Sequence, residues 1–555
     1  MVTPNEFNNH AGEEKSNGRW QSKKEEHMKK NISIALLIVM MALAFVGCGA
    51  PTNGSGTVVS NGSNSGSEVS KARDILNVGF YAEPSTVDPA LSKDRVTWII
   101  GYQMYDTLVK YDQEKKEYTP GLATGWEMNP EGTEITFEIR QNVKFHNGDT
   151  MTMEDVLWSM TRELESSYTA SLTGSMDRWE QVDETHIKLV LKQAYAPIYD
   201  VLVTPCFSVI SKRAFEEAQA AGQDFGRIGC GTGAYKLVEW NSGDTMVFES
   251  HADYYEGAPA IKQVILKQIP DAGAGSIALE EGSIDYYLFL QQSDFAHLEE
   301  VPTLKKVENP GGVGIDDITF NVTDGIFVDK RLRQAVAYAI NREEMMLGGV
   351  EGYGKVSNTP CATSSFGFIE DYPWYEQDVE KAKALLAEAG YPDGFDVVFS
   401  QEGSPDYMKP AEIMQEQLRQ VGINVTFEKM ERAAWLETVA TNRDYVASLR
   451  MTTMVVNDVD YLLTRRLTSE NLGGGNNYSG YQNPEFDALV AEARTLTDSE
   501  ARMEIYRKCY DILKEDVPFI PLYTEQNPIY INAKLMGFIN HPQNRTPWSK
   551  LYFEE

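Results

Sequence analysis

The chain has 555 residues, 82 of them acidic against 50 basic, for a formal net charge of −32. A surface that negative repels a phosphate backbone, which argues against nucleic-acid binding, and it offers no polybasic patch for an anionic membrane. It suits a soluble, self-repelling exported surface, and at ~150 residues per domain the length allows two to four domains.

The N-terminus reads as an export signal. Ile34 to Val46 is an unbroken apolar run of 13 residues, short of the ~20 needed to span a bilayer and matched to a secretory apolar region. Lys29 and Lys30 precede it, and it ends in Phe45-Val46-Gly47-Cys48. Small residues before a cysteine at that point resemble a lipobox, which makes Cys48 the expected site of lipidation. Residues 1–27 fit no targeting pattern, and Met28-Lys29-Lys30 reads as the translation start. From Gly49 to about Ser70 the chain is rich in Gly, Ser, Asn and Thr, the composition of a flexible tether.

Downstream, Ile75 to Tyr81 reads as a strand, closed by Glu83-Pro84-Ser85-Thr86-Val87-Asp88-Pro89. Arg95 to Tyr105 has helical spacing. Thr133 to Arg140 and Thr185 to Lys192 have β patterning. Between them Thr152-x-x-Asp155 resembles a capping box opening a helix through Arg162. Gly229 to Tyr235 reads as a flexible glycine loop, a hinge or a crossover, followed by strands at Thr245 to Glu249 and Ala260 to Gln268. Asp329 caps one helix from Lys330 to Met345. Asp378 caps another, stopped at Gly390. Strands at Phe395 to Ser400 and Ile423 to Phe427 flank a helix from Pro410 to Gln420, and helices at Phe486 to Ala493 and Ala501 to Leu513 complete the series. Strand–helix alternation over 370–530 favours an α/β lobe with a partly parallel sheet.

Catalytic motifs are absent: there is no G-x-S-x-G, no H-E-x-x-H and no CxxC. Gly349 to Val356 imitates a phosphate-binding loop, but its last position needs a hydroxyl and holds Val356. Asp316-Asp317 and Asp458-x-Asp460 could be catalytic or Ca²⁺-binding carboxylates, although adjacent acids are common in so acidic a chain. Beyond Cys48, Cys206 and Cys230 are the one pair close in sequence, and a bridge between them stays open. Neither a cofactor nor a resident metal is expected.

Several segments together resemble the extracellular solute-binding proteins of the oligopeptide, dipeptide and nickel type. They are Glu83 to Pro89, Leu122-Ala123-Thr124-Gly125-Trp126-Glu127, Thr136 to Gly148, Thr152-x-x-Asp155-Val156, Gly231-Thr232-Gly233-Ala234-Tyr235, Phe320-Asn321, Asp329 to Ala335, Asp378 to Phe395, and Tyr481-x-Asn483-Pro484-Glu485-Phe486-Asp487. They occur in the family's order. The resemblance implies an α/β, periplasmic-binding-protein-like (type II) fold, with two lobes closing on a solute and a third α+β domain inserted. The implied division is 1–47 upstream extension and signal peptide, 48–70 lipidated cysteine and linker, 71–100 with 235–312 and 525–555 lobe I, 101–234 the insertion, and 313–524 lobe II. The implied partners are a small solute (peptide, saccharide or metal chelate), ABC permease subunits, and the membrane through the lipid anchor, with the protein a monomer at the extracellular or periplasmic face. A surface glycosidase with paired carboxylates ~5–10 Å apart is the rival from another class.

Peptide-binding members of that family carry a Trp on one strand and, three residues on, an Asp that pairs with the peptide ammonium. A gapless match puts Thr452 at the Trp, Val455 at the Asp and Asp458 at the following Asp-Pro. Valine cannot pair with a buried cation. Either Asp458 or Asp460 substitutes, or the ligand has no free α-ammonium; the second is favoured. Tyr81, Trp98, Trp374, Arg450, Asn476 and Asn477 are further candidates for the cleft.

Overall fold

The structure, a computed structural model, describes residues 73–555 apart from 93, 313, 404–406, 474–475, 542 and 544. Cys48, the export signal and the tether lie outside the described residues.

Three larger sheets organise the chain. The first has seven strands in the order Leu304–Val307, Ile529–Asn532, Tyr286–Tyr287, Ile75–Phe80, Gln263–Gln268, Thr245–Ser250 and Tyr235–Asn241. Ile75–Phe80 runs parallel to both of its neighbours. The second has six strands in the order Gly354–Val356, Phe519–Glu525, Gly314–Phe320, Ala447–Thr453, Phe395–Glu402 and Ile423–Met430. Phe395–Glu402 is parallel to both of its neighbours, and the helix Met408–Arg419 forms the crossover. The third is antiparallel and four-stranded: Ala123–Met128, Glu134–Ile139, His186–Leu191 and Met176–Gln181. Mixed sheets flanked by helices are what the alternating apolar runs dictate.

The cores divide differently from the sheets. One apolar cluster joins the seven-stranded and four-stranded sheets, running from Val78 and Trp548 to Phe137 and Leu189. A separate cluster around Ile318, Phe399 and Tyr506 belongs to the six-stranded sheet. The chain passes between the two large sheets twice, from Val307 to Gly314 and from Glu525 to Ile529. The crossings run against each other: a Cβ on Gly312 would fall 2.1 Å from the Glu525 carbonyl oxygen. Two adjacent crossings joining two separate cores are the layout of a hinge.

Local chemistry accounts for most boundaries. Thr152 and Asp155 form the expected capping box on Met153–Glu165, and Gly390 takes φ 94° behind the helix Val379–Glu388. The single helix expected from Lys330 to Met345 is two, Lys330–Ala339 and Arg342–Gly349. Asn341 caps the second by accepting from Glu344 N–H at 3.0 Å. The break is paid for by Gln417, whose amide bonds the Asn341 N–H at 3.1 Å and its carbonyl at 3.2 Å, so neither backbone group is left unsatisfied.

The glycine loop is packed rather than loose, since residues 230–234 are all buried. A Cβ on Gly231 would lie 2.3 Å from Met104 O, and one on Gly233 2.4 Å from Met104 C. Glycine is there because two backbones touch. Cys206 and Cys230 are both free and buried. The phosphate-loop imitation forms the strand Gly354–Val356, with Lys355 paired to Glu370 at 2.7 Å.

Candidate functional site

A cavity of about 490 Å³ opens between several parts of the chain, among them Asp200 to Ser208 and the residues Ala234, Tyr254 and Glu256. The end of one helix and the hairpin after it supply Tyr102 through Pro120, the C-terminal segment supplies Ile539 through Lys550, and Val455 and Asn457 approach from the loop after the strand Ala447–Thr453. Its volume falls within the roughly 300–1,000 Å³ of ligand pockets. Val455 and Asn457 follow a strand of the six-stranded sheet, and Val455 packs against the core of the other two sheets, so the cavity draws its lining from both sides of the chain crossings.

The helix Arg95–Met104 aims its C-terminal end at the cavity. Asp94 caps its start, accepting from Thr97 N–H at 2.7 Å. Gln103 then ties it to the C-terminal segment, accepting from Trp548 N–H at 2.9 Å and donating to Thr546 O at 3.0 Å.

The charged groups on the wall fall into two sets. Lys110 and Asp106 satisfy each other at 2.9 Å, with Glu256 2.7 Å from the ammonium. Burial disfavours the Lys110 cation, but Asp106, Tyr255, Tyr254 and Glu256 outweigh it and raise its pKa well above the usual value. Asp106 also accepts from Thr232, Tyr254 and Tyr255. This cluster is saturated.

Asp200 and Arg545 are not. Asp200 enters from the helix Ile198–Leu202 and accepts a hydrogen bond from Tyr118. Burial first, and then the nearby Asp458 carboxylate, push its pKa up to about 7 against the pull of Tyr118, Arg502 and Arg545. Arg545 is 8% exposed and donates to the Tyr102 hydroxyl. Its guanidinium lies 4.6 Å from the Tyr102 ring centroid and 5.7 Å from that of Trp98. Burial lowers its pKa, although an arginine stays charged regardless. Among the described residues, no carboxylate comes within ion-pair distance of it. His541, beside it, is pushed down to about 3 by burial and by Arg545. Its Nδ1 accepts from Gln543 N–H at 3.0 Å, which leaves Nε2–H as a donor.

Of the residues expected in the cleft from sequence, Val455 alone lines this cavity. Trp98 stands behind Arg545, its indole donating to Ser92 O at 3.2 Å. Tyr81 packs edge-on against Phe289 at 4.2 Å. Trp374 is buried among Tyr372 and Tyr375. Arg450 lies over Trp435 at 4.2 Å. Thr452 donates to Asp317 at 2.6 Å and accepts from Arg466 at 2.6 Å. Asn476 accepts from Arg465, and Asn477 is fully buried, donating to two backbone carbonyls. Asp458 pairs with Arg502 at 2.6 Å, and Asp460 lies 3.3 Å from Arg494. Both acids that could have replaced a carboxylate at 455 are therefore spent on arginines.

Sequence reasoning missed Asp200, Arg545, Lys110 and His541. Arg545 and His541 share a Pro- and Asn-rich tail, Asn540 to Pro547, that carries neither apolar periodicity nor a motif.

Residues 117–474 match the model of the bacterial extracellular solute-binding proteins, family 5. The chain belongs to that family: it is a substrate-binding protein of the ABC-importer type and not an enzyme. It is 26% identical over 470 residues to heme-binding protein A of Haemophilus influenzae, spanning 79% of this chain and 85% of that one. It is 26% identical over 538 residues to the oligopeptide-binding protein AppA of Bacillus subtilis, spanning 93% and 97%. Its fold superposes on the ABC transporter substrate-binding protein CtaP of Listeria monocytogenes with a TM-score of 0.78 at 25% identity, over 87% of this chain and all of that one. The two-lobed α/β fold with an inserted third domain is thus that of the periplasmic binding proteins of this family.

Proposed function

We propose that the protein captures a small organic solute in the cavity between its two large lobes, closes on it, and hands it to the permease of an ABC importer from a lipid anchor at Cys48. Lobe I is 71–100 with 235–312 and 525–555, 101–234 is an α+β domain inserted in it, and lobe II is 313–524. The supporting observation is the cavity itself, walled by Tyr102–Pro120, the C-terminal segment and the Val455 loop, with the two chain crossings as its pivot. An oligopeptide is the default cargo, the chain being similar to the oligopeptide-binding protein AppA. Anchoring is supported by Lys29-Lys30, the apolar run and Cys48.

Native mass spectrometry of the full-length protein as purified tests capture. One equivalent of a small organic solute, released unchanged on unfolding, is expected. Conversion of that solute by the protein, or an absence of binding across a broad solute panel, contradicts the proposal. Metabolic labelling with a fatty-acid analogue tests the anchor: label on the wild type that is lost in Cys48→Ser supports it, and equal labelling of both removes it.

A further inference from the structure

Among the described residues lining the cavity, the Asp200 carboxylate and the Arg545 guanidinium form no ion pair with the protein. Asp200 has Tyr118 as its hydrogen-bond donor, and Arg545 has Tyr102 as its acceptor. Each lies close enough to shift the other's titration. A buried charge without a counter-ion is costly, and a ligand bringing that counter-ion recovers the cost as affinity. The acids at 458 and 460 are committed to Arg502 and Arg494, and position 455 is apolar. Asp200 reaches the cavity from the helix Ile198–Leu202, a different stretch of chain from Val455.

Resting on the solute-capture reading above, we infer that the cavity selects a zwitterionic solute, seating its cationic group on Asp200 and its carboxylate on Arg545. The carboxylate for a ligand ammonium is thereby supplied by the inserted segment, in place of the residue after the lobe II strand. The anion is read by a planar guanidinium held in place by Tyr102 and backed by Trp98, a geometry suited to a carboxylate. The neutral His541 Nε2–H stands beside it as a further donor. Lys110, held between Asp106 and Glu256, is already satisfied and leaves no free cation on that wall.

Proton linkage follows from the groups around Asp200. Tyr118, Tyr111, Tyr195, Asp458, Arg502 and Arg545 face it, and together with burial they place its titration near neutrality. A cation must find Asp200 ionised, so affinity falls as pH drops through about 7.

The test is calorimetry on the full-length protein with Ala-Ala-Ala, N-acetyl-Ala-Ala-Ala and Ala-Ala-Ala-amide, backed by a thermal-shift panel of free amino acids, mixed tripeptides and neutral saccharides. Expected are binders confined to zwitterions, at least tenfold weaker binding after acetylation or amidation, and at least tenfold weaker binding at pH 5.5 than at pH 7.5. Asp200→Asn should abolish the acetylation penalty and flatten the pH dependence. Arg545→Gln should abolish the amidation penalty, and Arg545→Lys, which keeps the charge if the glutamine variant fails to fold, should retain part of it. Equal binding of blocked and free solutes, or discrimination that survives Asp200→Asn, overturns the inference. A saccharide binder alone also overturns it while leaving solute capture intact, whereas a lack of any one-to-one ligand removes both.

Discussion

Arg502 and Asp458 are almost wholly out of solvent and bond at 2.6 Å, with Tyr506 on both. Removing one partner of such a pair leaves a buried charge, so Arg502→Ala should destabilise the protein by ~3–5 kcal/mol, read as a shift in the denaturant midpoint. A near-neutral result would mean that water reaches Asp458. Asp200 gives the opposite sign. Its carboxyl titrates near 7 in the folded protein against a usual 3.8, so between those values the folded state holds a proton that the unfolded state has lost. Stability contributed by this group is present at low pH and is lost as pH rises from about 4 to about 7. Asp200→Asn should therefore melt higher than wild type at pH 8, with the gap closing near pH 4. A wild type more stable than the variant at pH 8 would contradict the assignment. Neither role was legible in advance. Asp458 stood out by spacing, but its arginine lies 44 positions away, and Asp200 acquires its character from groups that the fold alone gathers.

At the scale of elements, local chemistry spoke clearly wherever a cap or a stop defined it. Thr152 with Asp155, Asp378 and Gly390 set helix ends that the sequence announces. It spoke misleadingly where tertiary contacts overrode propensity. The apolar spacing runs unbroken from Leu332 to Met345, and the helix breaks because Gln417, on another helix, satisfies the freed backbone of Asn341. The glycine cluster at 229–233 looks like a hinge by composition and is a close approach of backbones in space. Gly231→Ala puts a Cβ 2.2 Å from the Tyr105 ring and 2.3 Å from Met104 O. It should cost ~1–3 kcal/mol, as overpacking does. Gly125→Ala, with nothing within 4 Å of its Cβ, should change stability by less than about 0.5 kcal/mol. Equal melting of the two variants would return the loop to the flexible class.

For the whole molecule, the fold was largely readable, because motifs that hold caps, turns and cores recur in a fixed order. The site was not, because its walls come from distant stretches, residues 102–120, 200–208, 234–256, 455–457 and 539–550, and charge complementarity across them exists only after folding. Two cores joined by two crossings should close as rigid bodies, so solute binding should reduce the radius of gyration seen by small-angle scattering, and an unchanged profile at saturation would argue for a rigid cleft. The most direct measurement is a crystal structure of the protein with the solute it retains. Capture between the lobes requires that solute inside the 490 Å³ cavity, touching Arg545 and Asp200. A solute seated instead against Arg450 and Thr452, or on the outer face of either lobe, would contradict it.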